Sequence, residues 1–176
     1  METPQHQDII FRKPHLHDGQ GIYELVKNCP PLDLNSRYLY FLQADHFADT
    51  CVLAELDAKI VGFISGYIRL DTSHTLFVWQ VAVASHMRGK NLAKALLRTL
   101  IKNQPHQAQL DKLSTTISPS NTASQKMFSS FAKSYGLESR QESYLDAEQF
   151  GEDGHEAELL YTFTALSNRT LIESII

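Results

Sequence analysis

Apolar positions along this chain recur at two spacings, and residues 77–99 pass from one to the other. They read FVWQVAVASHMRGKNLAKALLRT. Val78, Trp79, Val81 and Val83 supply the β-branched and aromatic content of a buried strand. Beyond a short polar turn, Leu92, Ala95, Leu96, Leu97 and Leu100 fall at helical spacing. They predict an amphipathic helix over 91–102 that stops near Pro105. The turn itself is Arg88-Gly89-Lys90-Asn91-Leu92-Ala93. A strand emptying through such a turn into a helix start gathers unpaired backbone N–H groups and the positive end of the helix dipole. The stretch therefore predicts a phosphate-bearing cofactor whose long arm lies along the strand, against Val81, Ala82 and Val83.

Upstream, residues 9–12 read as a short strand. Asp18 is placed to cap a helix through Ile22, Leu25 and Val26, which Pro30 and Pro31 end. Asn35 or Ser36 can cap a second helix, on which Tyr38, Phe41, Leu42 and Phe47 fit a core-facing stripe. Residues 51–56 and 60–70 are apolar strands joined at hairpin spacing by Asp57-Ala58-Lys59, and the strand of 75–84 follows. Downstream, residues 113–118 read as a strand. Ser120 or Asn121 caps a helix carrying Ala123, Met127, Phe128 and Phe131, and Gly136 ends it.

The acidic segment 141–154 has weak periodicity and reads as a long loop, whereas residues 157–165 alternate as a strand. Residues 1–7 and 166–176 read as loose tails, the latter with a short helical or frayed end. The order, closing on two strands, is β-α-α-β-β-β-α-β-α-β-β. It predicts an α/β fold with a mixed, mostly antiparallel central sheet flanked by helices. With no repeat and no linker, residues 1–176 read as a single domain.

Composition narrows the class of partner. A chain of 176 residues, 43% apolar and 20% charged, is an ordinary soluble globular protein large enough for its own core. A net charge of −4 argues against nucleic acid or an anionic membrane as the main partner. Cys29 and Cys51, far apart and outside any CxxC spacing, read as reduced thiols. His15 and His17 lack a third ligand at metal spacing, so no metal is expected. No apolar run is long enough to span a bilayer, and METPQHQDII lacks the order of a signal peptide. A cytoplasmic location is the expectation.

The turn resembles the acyl-CoA signature of the Gcn5-related N-acetyltransferases, with Arg88, Asn91 and Ala93 on its three fixed positions. Asn91 stands where that family normally has Gly; Asn is the next most tolerant residue of a left-handed backbone. Three further stretches, DLNSRYLYFLQADHFADT, LFVWQVAV and HEAELLY, resemble the branch that acetylates the side-chain amine of L-2,4-diaminobutyrate for ectoine biosynthesis. The likeness runs from Ile9 to Phe163 in order, with Ala157 and Leu159 where an acidic residue and Pro are expected. It implies acetyl-CoA as co-substrate, a small diamine as acceptor, a role under osmotic stress and a homodimer. It also implies that residues 88–93 and Asn121 hold the coenzyme. Seven positions after Asn121 the family often has a Tyr that protonates the departing thiolate; here Phe128 stands, and reads as core.

The chemistry asks for acceptors for ammonium groups, a donor for a carboxylate and a base for the reacting amine, because an ammonium has no lone pair. Asp33 and Glu158 can pair with ammonium groups by charge-assisted hydrogen bonds. Trp79 can offer its ring face to a cation or simply wall the pocket. Asn35 and Ser36 can hold the carboxylate or serve as helix caps. His155 or Glu158 is the candidate base, backbone N–H groups near Val81 the candidate oxyanion site, and Tyr38 a candidate proton donor to the thiolate. Neither cysteine adjoins a base, so direct attack in a ternary complex is expected over a covalent acetyl-enzyme. Acetylation of another small amine, or an acyl-CoA-binding module without catalysis, remain the alternatives.

Overall fold

The computed structural model of the protein describes residues 8–105, 109–166 and 168–176, so the expectation for residues 1–7 lies outside the described residues. In chain order the elements are β1 (Ile10–Arg12), α1 (Gly19–Lys27), α2 (Arg37–Asp45), β2 (Cys51–Leu56), β3 (Lys59–Ile68) and β4 (Thr75–Val83). They continue with α3 (Leu92–Lys102), β5 (Lys112–Ile117), α4 (Thr122–Tyr135), β6 (Glu138–Leu145), β7 (Glu158–Thr164) and α5 (Leu171–Ile175). The strands form a seven-stranded sheet in the order β1-β2-β3-β4-β5-β7-β6. The pairs β1–β2, β2–β3, β5–β7 and β6–β7 are antiparallel and β4–β5 is parallel. This is the mixed, mostly antiparallel sheet with helices that the patterning predicts. The contacts group the chain into two compact units, one comprising the residues up to Ser65 with Gln80–Leu100, the other Gly66–Trp79 with Ile101–Ile176.

In the first unit, α1 and α2 pack Ile22, Leu25, Val26, Tyr40 and Ala44 against Cys51 and Leu53 of β2, Phe63 of β3 and Ala82 of β4. Neither cysteine in this core is in a disulfide. Helix α3 buries Leu92, Leu96, Leu97 and Leu100, the stripe read from the sequence. It lies so close to the strands that a Cβ on Gly62 would stand 2.9 Å from the Leu96 side chain and 3.2 Å from Ala54 Cβ. The β2–β3 hairpin turns on Asp57 and Ala58, both left-handed at φ 52° and 58°. That is the two-residue turn whose twist suits paired strands.

In the second unit, α4 runs from an Asn121 cap to left-handed Gly136 and buries Phe128, Phe131 and Ala132. Phe128 stacks on Phe163 of β7 with ring centroids 5.9 Å apart. The β4–β5 ladder covers Thr75–Phe77 against Lys112–Ser114, and Val78 and Trp79 lie past its last pair.

Four readings are corrected. The stripe on α2 is out of phase: Tyr40, Gln43 and Ala44 are buried, whereas Tyr38 is 71% and Phe47 50% exposed. A tyrosine can be fully buried when its hydroxyl finds a partner, which a count of apolar positions does not register. The loop expected over 141–154 is in fact β6 followed by 3₁₀ turns over Ala147–Asp153. β6 is exposed at every position but Leu145, so it carries no alternation to read. The tail after β7 is not loose throughout: Thr170 caps α5, Leu171 and Ile175 are buried, and Leu171 N–H donates to Leu110 O at 2.7 Å. Asp18, finally, makes no side-chain cap on α1. Its carboxylate accepts from His15 N–H at 2.7 Å and from the Arg12 guanidinium at 2.7 and 2.9 Å, while Arg12 also holds Glu55.

Two stability outcomes follow. A left-handed alanine costs roughly 1 kcal/mol that glycine does not, so Ala58→Gly should raise unfolding free energy by about 0.5–1 kcal/mol in chemical denaturation. The hydrogen bonds from Arg12 hold the Asp18 carboxyl below the usual carboxylate range. A depressed acid stabilises the fold above its unfolded pKa of about 4, and that contribution is lost as pH falls through the folded value. Asp18→Asn should therefore cost about 1–2 kcal/mol at pH 7 and flatten the loss of stability between pH 5 and pH 3.

Candidate active site

In the first unit, β4 ends at Val83 and a 3₁₀ turn over Ser85–Met87 leads into the loop that begins at Arg88. Gly89 and Asn91 are both left-handed, at φ 76° and 60°. Asn91 thus adopts the backbone conformation for which glycine is the usual residue, and its carbonyl accepts Ala95 N–H at 3.1 Å to open α3. Leu92 is buried beneath the loop, whereas Arg88, Gly89, Lys90 and Asn91 are exposed. A Cβ on Gly89 would meet nothing within 4 Å, so the outer side of the loop is open. Arg88 Nε donates to Val83 O at 3.4 Å, which holds this cation beside the strand end. The arrangement joins a helix N-terminus to two cations, Arg88 and Lys90, and suits a phosphate. Ala82 is buried and Val81 and Val83 half-buried, giving the strand before the loop an apolar surface.

The loop before α2 belongs to the same unit. Ser36 caps α2, its Oγ accepting Leu39 N–H at 3.3 Å, which settles its helix-cap role. Asp33 is exposed and Asn35 half-buried. Asp33 O accepts from Gln80 Nε2 at 2.8 Å, and Asn35 N–H donates to the Tyr40 hydroxyl at 3.2 Å. Tyr38 points to solvent. Reading the sequence overlooks Tyr40 and Gln80; the usable signal is a Gln inside the apolar run FVWQVAV, which a buried strand tolerates only with partners.

In the second unit His155 and Glu158 come together, His155 Nε2 standing 4.0 Å from Glu158 Oε1 with side chains 25% and 15% exposed. His155 Nδ1 lies 2.6 Å from Glu156 O. A carbonyl only accepts, so Nδ1 carries a proton in this contact and Nε2 is the ring nitrogen that faces Glu158. The ring also stacks on Phe150 at 4.1 Å. Glu156 accepts Ser120 N–H at 3.0 Å, and hydrogen bonding from Ser120 holds its carboxyl below the ordinary glutamate range. Asn121 uses its side-chain oxygen as the α4 cap, accepting Ser124 N–H at 3.1 Å.

Trp79 is 47% exposed at the end of this unit's part of β4. Phe77 and Leu160, two residues from Trp79 and Glu158 on their strands, share their faces. With Tyr67, Arg69 and Tyr144 they line a cavity of about 440 Å³. Tyr67 packs on Phe77 at 5.0 Å, and burial raises its phenol pKa. A carboxylate at the start of β7, on the same strand as one wall of an aromatic cavity, with an imidazole three residues before it, is chemistry suited to receiving an ammonium and taking its proton.

Among relatives, the L-2,4-diaminobutyric acid acetyltransferase of Vibrio parahaemolyticus is 40% identical over 152 residues, covering 86% of this chain and 83% of its own. That of Halomonas elongata is 42% identical over 144 residues, covering 81% and 74%. Among solved structures, the diaminobutyrate acetyltransferase EctA from Paenibacillus lautus, in complex with its substrate L-2,4-diaminobutyric acid and coenzyme A, superposes with a TM-score of 0.87. It is 40% identical and covers 92% of this chain and 98% of that one. Residues 19–132 match the acetyltransferase (GNAT) family, and the chain belongs to that family.

Proposed function

We propose that this protein is an acyltransferase that moves acetyl from acetyl-CoA to the 4-amino group of L-2,4-diaminobutyrate, releasing N4-acetyl-L-2,4-diaminobutyrate and free coenzyme A. The observation that carries this reading is the 40% identity and TM-score of 0.87 to an enzyme holding that amine and coenzyme A. The geometry of each unit supplies parts the reaction needs. The coenzyme's pyrophosphate sits on the open loop of Arg88, Gly89, Lys90, Asn91, Leu92 and Ala93, and its arm runs along Val81, Ala82 and Val83. Asn121 is assigned to the coenzyme as well.

The acceptor arrives as a dication with a carboxylate, and Asp33 takes an ammonium by a charge-assisted hydrogen bond. Trp79 walls the acceptor, and Asn35 and Ser36 flank its carboxylate. Glu158, with His155 beside it, takes the proton that frees the attacking nitrogen's lone pair. Attack on the thioester carbon then proceeds directly. Backbone N–H groups near Val81 face the developing oxyanion, and the thiolate leaves with a proton. Tyr38 is assigned as that donor, since Phe128 is stacked in the core and has none. The reading extends to ectoine biosynthesis under osmotic stress, a cytoplasmic location and a homodimer. In support of the dimer, β6 is bonded to β7 and exposed at every position but one, a surface a second copy would cover.

Incubation with acetyl-CoA and diaminobutyrate should give one mono-acetylated product, with the amide on N4 by NMR and one thiol released per acetyl transferred. Faster turnover of ornithine, lysine or spermidine would transfer the reading to another amine, and acetyl-CoA binding without thiol release would reduce it to a binding module. Glu158→Ala and His155→Ala should each lower kcat by about 100-fold or more while acetyl-CoA affinity in calorimetry stays within about twofold. A variant that keeps full turnover removes that residue from the proton path.

A further inference from the structure

Two buried polar side chains of the first unit have no part in the chemistry just assigned. Tyr40 of α2 is fully buried, and Gln80 of β4 is 8% exposed. Burying a phenol and a primary amide is unfavourable unless their polar atoms find partners. They find them on each other and on the loop that carries Asp33. Gln80 Nε2 donates to Asp33 O at 2.8 Å, Tyr40 donates its hydroxyl proton to Gln80 Oε1 at 3.2 Å, and the same hydroxyl oxygen accepts Asn35 N–H at 3.2 Å.

Elementary donor and acceptor chemistry leaves one orientation. A carbonyl only accepts, so the amide nitrogen must face Asp33 O. The amide oxygen then faces Tyr40, whose single proton goes to it, and only the hydroxyl lone pairs remain for Asn35 N–H. The bonds close around Leu34 and hold the loop backbone from two sides. One jaw of this clamp is a residue of β4 itself, directly between Trp79 and Val81. The other is braced by packing: the Tyr40 ring meets Tyr23 edge-on at 6.1 Å, and the Arg37 guanidinium lies over Tyr23 at 4.6 Å.

We propose that Tyr40 and Gln80 are positioning residues that set the acceptor loop at a fixed distance from strand β4 and thereby select the length of the amine. The proposal rests on the reading of Asp33 as the acceptor's ammonium partner. Neither side chain is given a step in the proposed reaction. They act on where Asp33 sits, and a displacement of a fraction of an ångström at such a group changes affinity for an acceptor one methylene longer or shorter.

The test compares wild type with Tyr40→Phe and with the double variant Tyr40→Phe/Gln80→Met. Replacing the phenol and the amide together is gentler on the fold than orphaning one of them, and the loop groups they leave, Asp33 O and Asn35 N–H, lie on residues that are exposed and half-buried, within reach of water. The double variant should therefore melt close to wild type while the loop loses its clamp. Expected are a rise of about tenfold in KM for diaminobutyrate, a reduced preference for diaminobutyrate over ornithine, and KM for acetyl-CoA and kcat within about twofold. Hydrogen exchange at the Asn35 amide should quicken in both variants. A wild type inactive on diaminobutyrate overturns the acceptor assignment and the clamp with it. An active wild type whose variants keep its diaminobutyrate KM and amine preference overturns the clamp alone. So does a loss that affects both substrates equally and tracks melting temperature.

Discussion

The rest of the candidate site depends on one constraint, the reversal of the chain from β4 into the start of α3. Two residues in the left-handed region achieve it, Gly89 and Asn91, at φ 76° and 60°. Glycine adopts that conformation without cost, and asparagine is the side-chain-bearing residue best suited to it. Leu92, buried immediately after, pins the helix start while its neighbours face solvent. The loop is therefore open because the helix under it is anchored. Leu96 against Gly62 makes the same point from below: a residue without a side chain in β3 lets α3 settle close to the sheet.

Around that constraint, several polar groups of the molecule hold the fold. Arg12 joins Asp18 to Glu55 and so ties β1 to the start of α1 and to β2. Glu156 ties the approach to β7 to the loop before α4 through Ser120. Asn121 and Ser36 close the open ends of α4 and α2. His155 and Glu158 are different: both are largely withdrawn from water, 4.0 Å apart, and near the aromatic stacking of Phe150. Partial burial of an acid beside an imidazole is an arrangement that a proton-transfer site needs.

Much of the fold is legible in the sequence because its elements are local. The β2–β3 hairpin, the β4 strand, the α3 stripe, the Asn121 cap and the Gly136 stop each follow from residues within a few positions. The stripe on α2 is not legible, because the buried Tyr40 hydroxyl finds its acceptor on Gln80, 40 residues away. β6 is not legible, because a strand with both faces in water has no pattern and exists through its ladder to β7. The docked α5 depends in the same way on Leu110, since Leu171 N–H donates to that carbonyl.

The sequence alone determined that a strand–turn–helix able to hold a phosphate lies at residues 77–99. It also determined that a mixed sheet surrounds it, because backbone preference and apolar spacing act over short range. Tertiary structure decided which tyrosine is buried and which is in solvent, which of Asn35 and Ser36 serves as the cap, and which ring nitrogen of His155 faces Glu158. Those outcomes are set by hydrogen-bond partners and packing surfaces that meet only when distant parts of the chain fold together.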